Sequence, residues 1–345
     1  MNARIRMAPK ARLPGRPVPR ALDGKSRDCP DDESPRIVDS MKKILWPAAL
    51  LALVPLAVFA QTSARPPITG VSHIAVYTSH PAQSERFYVH DVGLKKGPDP
   101  ENPSGVRYYV NPTQFVEVLP LPANAGNSRL DSIGYKTANA EALLKYLAAH
   151  HYTVPAQVEK GSDGSRWFDV KDPEGNKVEF NQAAPHPISM AGSDPVGYHI
   201  IHVGMLVKSK EAENTFYRDL LGFRPYWYGG MHSGKTDWVS QQVPNGHDWL
   251  EYMLSWGGTE PSQREFGVLN HFSIGVVNME KAVTILDSGG RLDNQHTQMQ
   301  MGKDGKWQYN LFDPDGTRVE LMEFIPVEKP CCSPFTAPNP LPTEH

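Results

Sequence analysis

The chain has 345 residues, with 35 Lys and Arg against 38 Asp and Glu and an apolar share of 39%. That length suits two domains rather than one. The formal charge of −3, with no basic run interleaved with aromatics in the body of the chain, excludes a nucleic-acid-binding reading.

Residues 1–40 are rich in Arg and Pro and lack apolar periodicity; they read as a disordered leader or as sequence upstream of a true start at Met41. From Met41 the chain runs MKKILWPAALLALVPLAVFAQ, with a basic start, an apolar stretch from Ile44 to Ala60 and small residues before Gln61. This is the layout of a secretory signal peptide over 41–60, so the mature protein is expected in the periplasm or secreted. A membrane anchor is the alternative, but the run is short and carries Pro47 and Pro55, so no stable insertion is expected after cleavage. Removing 1–60 leaves 24 basic and 32 acidic residues, a net charge of about −8. The cysteines left are Cys331 and Cys332, adjacent in a Pro-rich tail over 326–345. They form no disulfide framework and read as incidental.

The body of the chain repeats itself. HIAVYTSHPAQSERFYVHDVGL (73–94) aligns with HVGMLVKSKEAENTFYRDLLGF (202–223), and QFVEVLP (114–120) with DWLEYML (248–254). DSIGYKTANAEALLKYL (131–147) follows in the first copy and NHFSIGVVNMEKAVTIL (270–286) in the second. Last come DPEGNKVEF and DPDGTRVEL, each a tight turn with Gly and then a strand. The copies span 68–182 and 198–325, joined by a linker over 183–197. Helical spacing of apolar residues predicts helices at 81–90, 140–149, 210–221 and 279–288, and shorter alternating or apolar runs predict strands between them. Each copy reads strand, helix, strands, then the same again.

Four βαβββ units paired into two α+β domains resemble the vicinal oxygen chelate superfamily, which includes glyoxalase I, extradiol ring-cleaving dioxygenases, fosfomycin-resistance enzymes and bleomycin-binding proteins. The first-strand His, the FY-x-x-x-LG helix end and the DP-x-G-x-x-x-E strand carry the resemblance. It implies a curved, cup-shaped mixed sheet in each glyoxalase-like domain, helices outside it, and a metal at the bottom of the cup.

Strand period sets which residues share a face. Glu320 points with Arg318 and Met322, His202 with Gly204 and Leu206, His271 with Leu269 and Ser273, and Glu251 with Trp249 and Met253. Two imidazoles and two carboxylates suit a divalent transition metal, and all four match ligand positions of the family. The equivalent first-copy set is His73, Glu117, Ser132 and Glu179. A serine stands where His271 stands, so that set reads as degenerate. If units were exchanged between domains, His73 and Glu117 would replace His202 and Glu251.

The resemblance to glyoxalase I implies Ni or Zn, a metal-chelated enediolate on a small oxygenated substrate, and proton transfer by Glu320 as base with Glu251 as partner. Export sits poorly with a glutathione-bound substrate. The resemblance to extradiol dioxygenases implies instead Fe(II) held by His202, His271 and Glu320. Two features oppose it: Glu251 crowds the site, and Asn310 stands where that class has a tyrosine, with Tyr309 facing away. A non-catalytic small-molecule binder is the third reading, supported by Tyr226, Trp227, Tyr228, Trp238, Trp249, Trp256 and Trp307. His232 and Lys235, in the loop 229–235, could touch an anionic substrate.

Overall fold

The first sheet is entered through β1 (Ile68–Thr78), whose central residues are nearly all buried. There follow α1 (Pro81–Arg86), β2 (Lys95–Pro98), β3 (Val106–Asn111), β4 (Gln114–Pro120), β5 (Leu130–Thr137), α2 (Ala140–Ala149), β6 (Glu159–Lys160), β7 (Arg166–Lys171) and β8 (Lys177–Gln182). The second half repeats the order with β9 (Ile200–Leu206), α3 (Lys210–Asn214), β10 (Arg224–Gly229), β11 (Trp238–Gln242) and β12 (Trp249–Met253). It continues through α4 (Gln263–Leu269), β13 (His271–Val276), α5 (Met279–Ser288), β14 (Gln300–Met301), β15 (Trp307–Phe312) and β16 (Arg318–Glu323). This computed structural model describes residues 64–232, 234–254, 257–293 and 295–344. The predicted leader and signal segment lie outside them. Among the described residues no helix is long and apolar enough to cross a membrane.

The helices α2, α3 and α5 begin where short polar side chains cap them. Asn139 accepts from Ala142 N, Ser209 from Ala212 N and Asn278 from Lys281 N. α2 and α5 match the predicted spans, and each turns one apolar stripe inward, Leu143, Leu144 and Leu147 in the first. The stretches predicted as helix over 81–90 and 210–221 are shorter as α-helix. They continue as π-helical turns, Phe87–Asp91 and Thr215–Leu220. The wider turn brings the consecutive Phe and Tyr of each copy into the core.

Each half makes one curled, eight-stranded mixed sheet, in the orders β2-β3-β4-β1-β5-β8-β7-β6 and β10-β11-β12-β9-β13-β16-β15-β14. The two βαβββ units of a half meet through an antiparallel pair, β1 with β5 and β9 with β13. Both units of a cup therefore come from the same half.

The repeated DP-x-G turns join the halves. Gly175 (φ 89°) and Gly316 (φ 93°) supply the left-handed residue that each turn needs. Asp315 of the second turn accepts from Ser79 N at 3.0 Å and Thr78 Oγ1 at 2.7 Å, ahead of α1. Glu174 of the first accepts from Lys208 N at 2.8 Å and Ser209 N at 2.6 Å, ahead of α3. Each acid thus satisfies donors just before the first helix of the other half.

Candidate metal centre

Four neighbouring strands deliver the four polar side chains predicted for the second cup. β9 carries His202 and pairs in parallel with β12, Trp249 opposite His202 and Glu251 opposite Gly204. On its other side β9 pairs with β13, placing His271 opposite Gly204, and β13 pairs with β16, placing Glu320 opposite Ser273. A Cβ at Gly204 would lie 2.1 Å from His271 Cε1, so the imidazole lies directly on that glycine. His73 and Glu117 belong to the other sheet, and the exchanged arrangement does not form.

The donor atoms converge. His202 Nε2 lies 3.1 Å from His271 Nε2 and 3.2 Å from Glu320 Oε2, and His271 Nε2 lies 3.6 Å from Glu251 Oε2. His202, Glu251 and His271 offer ligand atoms that all fall within 4.8 Å of one another. Glu320 joins them through His202. His271 Nδ1 lies 3.0 Å from Leu269 O, which can only accept, so Nδ1 carries the hydrogen and the Nε2 lone pair faces the centre. His202 has no such partner at Nδ1; its ring is held by stacking on Trp249 at 4.7 Å.

Burial governs the charges. It pushes both imidazoles below their ordinary range and so keeps them neutral, the form that binds metal. Burial, with the Glu320 carboxylate beside it, raises Glu251 to about 8. Burial would also raise Glu320, but Arg318, the His202 contact and Lys306 outweigh it and hold Glu320 below the usual carboxylate range. Two neutral imidazoles and two carboxyl groups gathered at one centre fit a divalent transition metal.

A cavity of about 420 Å³ opens over these residues. Of the aromatics singled out in the sequence, Tyr226, Trp227, Trp238 and Trp249 line it. Trp307 packs on the core, Tyr228 is exposed and Trp256 lies outside the described residues. From the loop 229–235 Met231 reaches the cavity, whereas Lys235 pairs with Asp237 at 2.7 Å. Tyr309 is buried in the core, and Asn310 lies opposite Glu320.

Sequence reasoning missed two contributors. Lys306 is fully buried, its ammonium 4.7 Å from the Trp249 ring centre and 5.1 Å from that of Phe335. Nothing in its surroundings in the sequence marks it. The tail is the other. Cys331 N donates to Lys303 O at 2.7 Å, Thr336 N donates to Tyr226 O at 3.0 Å, and Phe335 joins the cavity wall. The Cys331 and Cys332 sulfurs are bonded to each other.

The first cup holds a different centre. His73 Nε2 lies 3.7 Å from Glu179 Oε2, but Ser132 offers no imidazole. Arg107 enters instead, ion-paired to Glu101 and, through Nε at 3.4 Å, to Asp99, with its guanidinium 4.0 Å over the Phe115 ring. Phe115 stacks in turn on His73 at 4.7 Å. Burial and the neighbouring Asp99 raise Glu117 to about 9.

The fold has many counterparts of known structure. A crystal structure of catechol 2,3-dioxygenase superposes with TM-score 0.55 at 17% identity, covering 76% of this chain and 92% of that one. A mutant of homoprotocatechuate 2,3-dioxygenase from Brevibacterium fuscum gives TM-score 0.57 at 18% identity over 75% of this chain and 72% of that one. The same enzyme in complex with 3,4-dihydroxyphenylacetate gives 0.54 at 17% identity, over 75% and 81%. At such identities the likeness speaks for the fold alone. No curated protein matches the chain. The model of the Glyoxalase/Bleomycin resistance protein/Dioxygenase superfamily matches residues 199–321, the stretch that carries His202, Glu251, His271 and Glu320, so it is the second domain that is similar to this superfamily.

Proposed function

We propose that the protein is a metal-dependent enzyme of the glyoxalase I kind, a lyase or isomerase that moves a proton between neighbouring carbons of a small oxygenated substrate. The observation that carries this reading is Glu251, a fourth donor 3.6 Å from His271 in a place where a three-ligand iron site would be open. His202, Glu251, His271 and Glu320 would hold the ion, with Ni or Zn favoured. When bound, the ion supplies Lewis-acid polarisation of two adjacent substrate oxygens. Glu320, held ionised, is suited to take the proton, and Glu251, held protonated in the protein alone, to return it. Two carboxyls whose proton affinities are pushed apart by their surroundings form the pairing that acid and base roles require. Aromatic and methionine side chains make up part of the cavity wall beside that exchange. The MKKILW segment supports export, with processing before Gln61 readable by N-terminal sequencing of the secreted protein.

A second reading, an Fe(II) extradiol-type dioxygenase, is favoured by the ring-cleaving enzymes among the structural neighbours. Asn310 opposite Glu320, with Tyr309 in the core, counts against it. Elemental analysis of protein purified without chelator, beside His271→Ala, separates the readings. We expect about one Ni or Zn per chain in the wild type, and less than about a tenth of that in the variant, since one of two imidazole ligands is removed. Iron, together with oxygen uptake on catechols, would move the assignment to the dioxygenase. A wild type that takes up no metal even when supplied would leave a binding module.

A further inference from the structure

The two halves treat one basic side chain differently. Lys177 opens β8 and Arg318 opens β16, at matching positions two residues before Glu179 and Glu320. Lys177 is neutralised twice, by Asp131 at 2.5 Å and by Asp169 at 3.9 Å. Asp131 lies next to Ser132 as Asn270 lies next to His271, and Asp169 pairs with Glu179 as Asn310 pairs with Glu320. Both aspartates are therefore asparagines in the second half. Asn270 is otherwise engaged, accepting from Leu206 N at 2.9 Å, and Asn310 Oδ1 is buried with no partner.

Arg318 is left without a counterion of its own. Its Nε is buried without a partner, and its one close charged neighbour among the described residues is Glu320, at 3.6 Å from Nη1 and already shared with His202. The side chain is 12% exposed and lines the cavity over the metal centre. A buried guanidinium with unmet donors is costly unless something supplies acceptors. Its planar fork matches a carboxylate, and beside the polar Gln300, Lys303, Asp304 and Gln308 the wall carries Tyr226, Trp227, Trp238 and Trp249 with several methionines, which suits a ring or other flat apolar body.

We propose that Arg318 is the anion receptor of this cavity, and that the substrate is a small, largely apolar molecule bearing a carboxylate that docks on its guanidinium. Resting on the cavity assigned above, this names the substrate class of that same site. The replacement of two aspartates by Asn270 and Asn310 is what keeps the receptor free. Lys306, withdrawn behind Trp249, adds a second positive charge to the same wall without touching the ligand.

The test compares phenylacetate with its neutral isostere phenylacetamide, by isothermal titration calorimetry on the full Zn-supplemented chain. Wild type is expected to bind the acid at least about tenfold tighter, as a charge-assisted pair with Arg implies. Arg318→Met should bring the two affinities within about threefold of each other while leaving the amide's unchanged, whereas Arg318→Lys should keep part of the preference. Asn310→Asp, which installs the first half's counterion, should lose the preference with the arginine still in place. Equal affinities in the wild type, no binding of the acid up to about 10 mM, or an unaltered preference in Arg318→Met would each overturn the proposal. Metal content measured on the same samples keeps the outcomes apart. Loss of metal without loss of the acid preference would fault the metal reading alone, and the reverse would fault the receptor alone.

Discussion

The two cups share a strand order and a ring of polar positions, yet they neutralise their carboxylates by different means. In the first, β3 supplies Arg107 opposite Glu117; in the second, β11 supplies Ser240 opposite Glu251. The guanidinium lies over Phe115 in the first cup, while at the matching ring, Trp249, Lys306 approaches from another part of the chain. The loss of one imidazole, Ser132 for His271, goes with the gain of an internal cation, Arg107. Ala75 stands where the second cup has Gly204, and it is tolerated because no imidazole from the opposite strand lies on it. A candidate metal site and a buried ion-pair network are thus alternative solutions to one electrostatic problem, that of several carboxyl groups on a single concave face.

The comparison can be broken most severely at Arg107. Arg107→Met strands Asp99 and Glu101 in the first cup, and should destabilise the protein by roughly 3–5 kcal/mol, the cost of removing one partner from a buried ion pair. Ser240→Ala at the matching place should cost less than about 1 kcal/mol, since it breaks no ion pair. Thermal denaturation of both variants reads the contrast, and equal losses would show that the guanidinium carries no special weight.

A smaller effect is in pH. Glu117 has a folded-state pKa raised to about 9, so it favours the folded state when protonated. That contribution is full below the unfolded value near 4.5 and is lost as pH rises toward 9. Glu117→Gln should therefore flatten the fall of the melting temperature between about pH 5 and pH 9. An unchanged slope would mean that the carboxyl is already ionised.

The smallest expected effect sharpens the comparison instead of breaking it. Arg107→Ser and Ser132→His give the first cup the second cup's residues, and Ala75→Gly makes room for the new ring, as Gly204 does for His271. We expect the triple variant to take up a second metal ion, at least about tenfold more weakly than the first because Asp99 and Glu101 remain tuned to a guanidinium. A metal content that stays at one ion per chain would show that the first cup lacks more than these three residues.

Most of this architecture was legible in the sequence because it is periodic. Alternation along β16 put Glu320 and Arg318 on one face, and the cup does carry both. Capped, amphipathic stretches at 140–149 and 279–288 became helices with those ends. The helices at 81–90 and 210–221 came out shorter because π-helical turns, set by core packing around the Phe-Tyr pairs, interrupt the 3.6-residue period. The DP-x-G motif was legible as a turn, but its role in capping the other half was not, since a turn signal is local and the capped backbone lies far away in sequence.

The sequence alone determined the repeat, the two-domain fold and the four candidate ligands, because strand period and residue chemistry are properties of short segments. Tertiary structure decided that both units of each cup come from one half, that Arg107 enters the first cup, and that Arg318 has Glu320 as its close charged neighbour in the second. It also brought Lys306 and the tail against the Trp249 wall. These are outcomes of strand pairing and of charges meeting across a buried face, and no local pattern encodes which distant side chain will supply the counterion.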